Sequence, residues 1–114
     1  MKRDMDLIRL LLLDIEGDEK PDLSQFSKEQ LNYHKVLLIE AGLVEGRVSY
    51  GDDSISAVKI MRLTWQGHEF LSVARNNSVW NKAKEMISKA NLTMTIPIVT
   101  ELLTTIVKEQ LGLK

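Results

Sequence analysis

Side chains able to do chemistry are few in this chain, and their spacing closes more routes than it opens. There are two histidines, His34 and His68, and no cysteine, which removes disulfides, thiolate metal sites and thiol catalysis together. His68-Glu69 begins like a zinc-protease helix. However, the fourth residue on is Ser72, so the second ligand of that motif is missing. No glycine-rich phosphate loop opens a helix, and no serine has the local context of a nucleophile. Asp14 and Glu16 read as helix-surface charges rather than an acid–base pair. These absences lead us to expect a protein that is not an enzyme and uses no metal or cofactor.

The composition sets the frame for those residues. The chain has 114 residues, 44% hydrophobic and 27% charged, enough apolar material for one soluble domain with a core. Its 15 Lys and Arg against 16 Asp and Glu leave a net charge of −1. A dedicated nucleic-acid binder is usually visibly basic, because phosphate neutralisation supplies most of its non-specific affinity. The early apolar run is interrupted by Asp4, Asp6, Arg9 and Asp14 and has no small-residue cleavage site after it, so it does not read as a signal peptide. No apolar span is long enough for a bilayer. A cytoplasmic location with no membrane partner is the expectation.

The elements that must position these side chains follow from periodicity and caps. A first helix is expected from about Asp4 to Glu16, with Leu7, Ile8, Leu11, Leu12 and Ile15 as its buried stripe and Gly17 as its stop. Residues 17–22 read as a polar loop, and Leu23 and Phe26 are expected to tuck it onto the core. Ser27 and Gln30 form a capping box for a second helix that ends at Gly42. Leu43 to Tyr50 and Ile55 to Leu63 read as two strands joined by a Gly51-Asp52-Asp53-Ser54 turn. Thr64 caps a third helix to about Arg75. A fourth follows to about Ala90 with Val79, Trp80, Ala83, Met86, Ile87 and Ala90 on its stripe, and a last helix runs from Pro97 to near Gly112. The expected class is α+β, mainly α, with the core over residues 1–75 and C-terminal helices over 76–114 in the same domain.

Two segments carry a resemblance. Tyr33-His34, Leu37-Leu38 and Glu40-Ala41-Gly42-Leu43-Val44 look like the recognition helix of arsenical-repressor-like and MarR-like winged-helix regulators. Arg62-Leu63-Thr64 with Gly67 and Leu71 is similar to the pattern that ends their wing and opens the next helix. The chain also resembles one family of small phage, prophage and bacterial proteins classed as a domain of unknown function. The residues that carry this are Met1-Lys2-Arg3-Asp4-Met5-Asp6-Leu7-Ile8-Arg9, Tyr33 to Val44, Arg62 to Leu71 and Val79-Trp80-Asn81-Lys82-Ala83. That likeness covers roughly residues 1 to 90. It implies a winged-helix-turn-helix-like domain (α-α-β-β-α) with a C-terminal helical extension and a mobile-element origin, and it carries no activity to transfer. The separate supporting helix of such regulators has no room between residues 17 and 26.

On the resemblance, Lys28, Gln30, Asn32, Tyr33, His34 and Lys35 would face double-stranded DNA, with Arg47 and Arg62 beside them on the wing. Amides such as Gln30 and Asn32 can pair with adenine edges, and lysines can neutralise phosphates. The plainer reading is a solvated helix face, with His34 as a buried anchor. Asp52 and Asp53 at the wing tip would repel phosphate. The implied function is a phage or mobile-element transcriptional regulator; the alternative is a winged-helix module that engages a host or phage protein without DNA. Val99, Leu102, Leu103, Ile106 and Val107 cover about half of the last helix. They are expected either to fold back on the domain or to form a homodimer contact.

Overall fold

Every helix starts where a side chain can accept a hydrogen bond from the backbone. The computed structural model describes residues 1–113. Its elements are α1 (Met5–Glu16), α2 (Lys28–Glu40), β1 (Val44–Gly51), β2 (Ser54–Leu63), α3 (Trp65–Ala74), α4 (Asn77–Lys89) and α5 (Ile96–Gln110). Asp4 accepts from the amides of Asp6 and Leu7, Asn76 from Val79 and Thr95 from Ile98. The Ser27–Gln30 capping box is complete, at 3.1 and 2.8 Å. These caps satisfy helix-start amides that have no partner inside the helix. The architecture is α+β and mainly helical, and among the described residues no helix is long and apolar enough to cross a membrane.

The helix ends are equally local in origin. At the end of α2, Gly42 takes φ +73° and the Leu43 amide reaches back to the Leu38 carbonyl at 3.0 Å. The same 6→1 closure ends α4, with Asn91 left-handed and Leu92 bonded to Ile87.

The two strands form an antiparallel hairpin with two register shifts. Glu45 pairs with Arg62 but Gly46 with Ile60, so Met61 is an extra residue. Ser49 pairs with Ala57 but Tyr50 with Ile55, so Ser56 is another. Each extra residue inverts the alternation of faces. Together they bring Leu63, Ile60, Val58 and Ile55, which strict alternation would scatter, onto the half-buried side with Val44 and Val48.

The connection is two residues long, and both Asp52 and Asp53 have positive φ, +44° and +67°. That is the primed turn geometry, which Asn-Gly or Asp-Gly supplies with less strain. Asp53→Gly should therefore raise stability by about 0.5–1 kcal/mol, read as a melting temperature higher by about 3–6 °C. An unchanged or lower melting temperature would mean that the Asp53 side chain stabilises the turn.

The chain divides into two compact units, Met1–Glu69 and Phe70–Lys114. In the first, α1 packs on α2 and β2, and α2 packs on both strands. Met5, Leu7, Ile8, Arg9, Leu11, Leu12 and Leu13 of α1 are buried, so about two thirds of its circumference is covered. Leu13, expected off the stripe, is buried, and Ile15 near the helix end is half-buried. Leu23 and Phe26 are half-buried beside a short turn in which the Phe26 amide bonds the Leu23 carbonyl. In the second unit α4 packs on α5. Val79, Trp80, Ala83 and Ile87 are buried on one helix, and Val99, Leu103 and Ile106 on the other.

Candidate functional site

The polar residues at the start of α2 spread over both flanks of the helix. At about 100° per residue, the buried His34, Leu38 and half-buried Leu31 mark the inward side of α2. The opposite, outward side is centred on Glu29, Val36 and Glu40. Lys28, Asn32 and Lys35 fall to one flank and Gln30 and Tyr33 to the other, with Glu29 between them.

Several of these groups are already in use. His34 is 1% exposed. Its Nε2 accepts the Asp4 amide at 2.8 Å, and its Nδ1 lies 2.8 Å from the Gln30 carbonyl. The Asp4 amide can only donate, so Nε2 is the acceptor and the ring proton sits on Nδ1, donating to Gln30. Both ring nitrogens therefore serve the α1–α2 junction and neither faces solvent. Gln30 Oε1 accepts the Ser27 amide, and a bidentate adenine contact would break that cap. Arg62 is held by Glu45 in a two-bond pair, at 2.8 and 3.0 Å, and donates once more to the Leu63 carbonyl. The pair is exposed, so its stabilising effect is small, but it cancels the Arg62 charge locally.

The remaining candidates are accessible. Lys28, Asn32 and Tyr33 line a cleft of about 550 Å³ together with Met1, Glu29 and Ser54 to Ser56 of the hairpin. Tyr33 also meets His34 edge to face, with ring centroids 5.4 Å apart. Lys35 is half-buried. Arg47 is exposed and lies directly opposite Lys59 in the hairpin register, a pairing of like charges that costs stability.

Most exposed of the large apolar side chains among the described residues is one that the sequence reading passed over. Trp65 is 75% exposed and Met61 52%. They are four residues apart, so their Cα atoms cannot be more than about 14 Å distant. Between them in sequence lie the paired Arg62 and the buried Leu63. Trp65 could have been found: it sits about 160° from the Gly67, Phe70, Leu71 and Ala74 stripe, where an amphipathic helix normally places a polar residue. Met61 left no such signal, because alternation with Leu63 points it inward and only the bulge turns it out. Arg9 was missed as well. It is 8% exposed on α1; burial pushes its guanidinium below the usual range, and the charges of Glu19 and Asp6 oppose that shift.

In the second unit, the expected dimer residues Val99, Leu103 and Ile106 are fully buried within the single chain, while Leu102 and Val107 are half-buried. Met86 and Ala90, expected on the α4 stripe, are exposed at its edge.

Fold and surface together define a small, mainly helical α+β protein with an exposed tryptophan three residues after the paired Arg62. The chain belongs to the hypothetical-protein family DUF2513, whose family model matches residues 2–93. It is also similar to an uncharacterized protein of Haemophilus influenzae, 36% identical over 119 residues that cover 98% of this chain and 100% of the relative. No solved structure matches.

Proposed function

We propose that the N-terminal unit is a winged-helix protein-interaction module, of mobile-element origin, that engages a host or phage protein without DNA. The observation that carries this reading is charge. Residues 1–69 hold nine Lys and Arg against thirteen Asp and Glu, a net −4, whereas residues 70–114 hold six against three, a net +3. The unit that resembles a DNA reader is therefore the acidic one, and a polyanion would be repelled from it. The commitment of His34, Gln30 and Arg62 to the fold points the same way. Trp, Met and Arg are residue types enriched at protein interfaces, and burying an exposed indole is worth about 3–4 kcal/mol at 25 cal/mol per Å². A homodimer would present two such surfaces at once.

A transcriptional regulator that binds double-stranded DNA is the second reading, supported by the opposed Arg47 and Lys59 with Lys28 and Lys35 on the flank of α2. Its test is a mobility-shift titration at low and moderate salt on random and upstream-region DNA. No shift at either salt, with folded protein, is the expected result. A shift weakened on all sequences by Lys35→Ala, with specificity relaxed by Asn32→Ala, would replace the first reading. For the interaction module, Trp65→Ala should leave the melting temperature within about 3 °C. It should abolish retention of any protein partner that the wild type holds, while a partner held equally by both proteins would place the contact elsewhere.

A further inference from the structure

We infer that the cleft between α2 and the start of β2 binds a short zwitterionic peptide, two or three residues long, with both ends free and an apolar side chain. The cleft lies within the first unit, and its volume of about 550 Å³ is in the range of small-ligand sites. The polar groups at the start of α2 divide by use. Ser27, Gln30 and His34 spend theirs on the fold. Among the described residues, the side chains of Lys28, Glu29 and Asn32 and the Tyr33 hydroxyl make no hydrogen bond or ion pair, and all four residues line the cleft. Asn32 and Tyr33 are half-buried, so their polar atoms bond to water or to a ligand.

Charge selects among ligands. The charged side chains on the lining are Lys28 and Glu29, which diverge by about 100° around α2. A simple anion, such as a nucleotide phosphate, would gain Lys28 and be repelled by Glu29, and a simple cation would meet the reverse. A molecule with both charges satisfies both residues, its carboxylate on Lys28 and its ammonium on Glu29. The two ends of a dipeptide are about 6–7 Å apart when extended, a span that two divergent long side chains can bracket.

The groups between and opposite the charges fit the rest of a peptide. By the same helical count Asn32 falls between Lys28 and Glu29, and its carboxamide both donates and accepts, as a peptide group does. On the hairpin side Ser54 and Ser56 donate their hydroxyls to the Gly51 and Ser49 carbonyls at 3.1 and 3.0 Å. Toward a ligand these oxygens can only accept, which suits a peptide N–H. The Tyr33 ring and half-buried Ile55 supply apolar surface for one side chain. Lys28 and Glu29 are exposed, so each ion pair adds little and binding is weak, with Kd of about 0.1–1 mM. The site shares no residue with the Trp65 surface.

The test is titration of the isotope-labelled full chain with Ala-Phe and Phe-Ala, followed by amide chemical shifts. The tighter of the two should give saturable shifts at Asn32, Tyr33 and Ile55, with Kd of about 1 mM or below. Acetylating its N-terminus or amidating its C-terminus should each weaken binding by at least about threefold. Lys28→Ala should weaken the free dipeptide by a similar factor and leave the affinity of its amide unchanged. Glu29→Gln should do the same for the free and acetylated forms, with circular dichroism confirming that each variant is folded. Weaker or absent binding overturns the inference, as do blocked dipeptides that bind like the free one, or dAMP held at these residues more tightly than either dipeptide.

Discussion

Gly67→Ala is expected to destabilise the protein by at least about 3 kcal/mol, a large part of the 5–15 kcal/mol typical of a domain. A Cβ at Gly67 would overlap the Leu43 carbonyl oxygen and stand 3.0 Å from its carbon. Those atoms are backbone, and they are held from both sides. The Leu43 amide closes the end of α2 on Leu38, and the Leu43 carbonyl accepts the Thr64 amide at 3.0 Å. Thr64 in turn donates its hydroxyl to the Gly42 carbonyl and accepts the Gly67 amide. The added methyl cannot be relieved by a side-chain rotation, so either α3 shifts or the α2 end opens. Urea unfolding followed by circular dichroism should show a lower midpoint with little change in slope. Gln66→Ala, on the exposed neighbour, should stay within about 0.5 kcal/mol of wild type. A cost under about 1 kcal/mol for Gly67→Ala would mean that the α2–α3 junction yields easily.

His34→Ala should cost about 2–4 kcal/mol, from the cavity left by a side chain only 1% exposed and from the Asp4 amide that loses its acceptor. His34→Phe separates the two contributions. It keeps most of the volume and removes both ring nitrogens, and the expected loss is about 1–2 kcal/mol. The Gln30 carbonyl is less affected, since it lies within α2 and retains its place in the helix ladder. Nitrogen chemical shifts of the imidazole should report a proton on Nδ1. A proton on Nε2 would contradict the Asp4 contact. If His34→Ala were neutral for folding and instead weakened DNA binding, His34 would belong to a recognition surface and the junction role would fail.

These two residues show how unevenly the sequence exposes its structure. Gly42 could be read from it as a helix stop, because a left-handed helix end has a local steric cause. Gly67 was legible only as part of the Leu63-Thr64 pattern, since the atoms that exclude a Cβ there belong to Leu43. His34 was legible only as an alternative between DNA contact and buried anchor. Its neighbours in sequence are polar, and the acceptor role of Nε2 depends on Asp4, thirty residues away. Arg62 gave the same ambiguity, since its pairing with Glu45 depends on the hairpin register. The register includes two bulges that no residue type announces. They turn Met61 outward and bring Ile60 to the half-buried side with Leu63.

The C-terminal helix makes the same point from the other direction. Its broad apolar face was visible, but periodicity cannot say whether a face meets its own chain or another. Packing against α4 uses Val99, Leu103 and Ile106 inside the unit and leaves Ile98 and Leu102 with Met86 at the groove.

By itself the sequence determined the element order, the helix starts at Asp4, Ser27 and Thr64, the stops at Gly17 and Gly42, and the mainly helical α+β class. Those features come from hydrogen bonds and dihedral preferences spanning a few residues. Only the tertiary structure decided which polar residues remain free to act. It buried His34 and Arg9, paired Arg62 with Glu45, and left Trp65 and the α4–α5 groove in solvent. The physical reason is that a side chain's availability depends on partners far along the chain, and those meet it only when helices and strands pack.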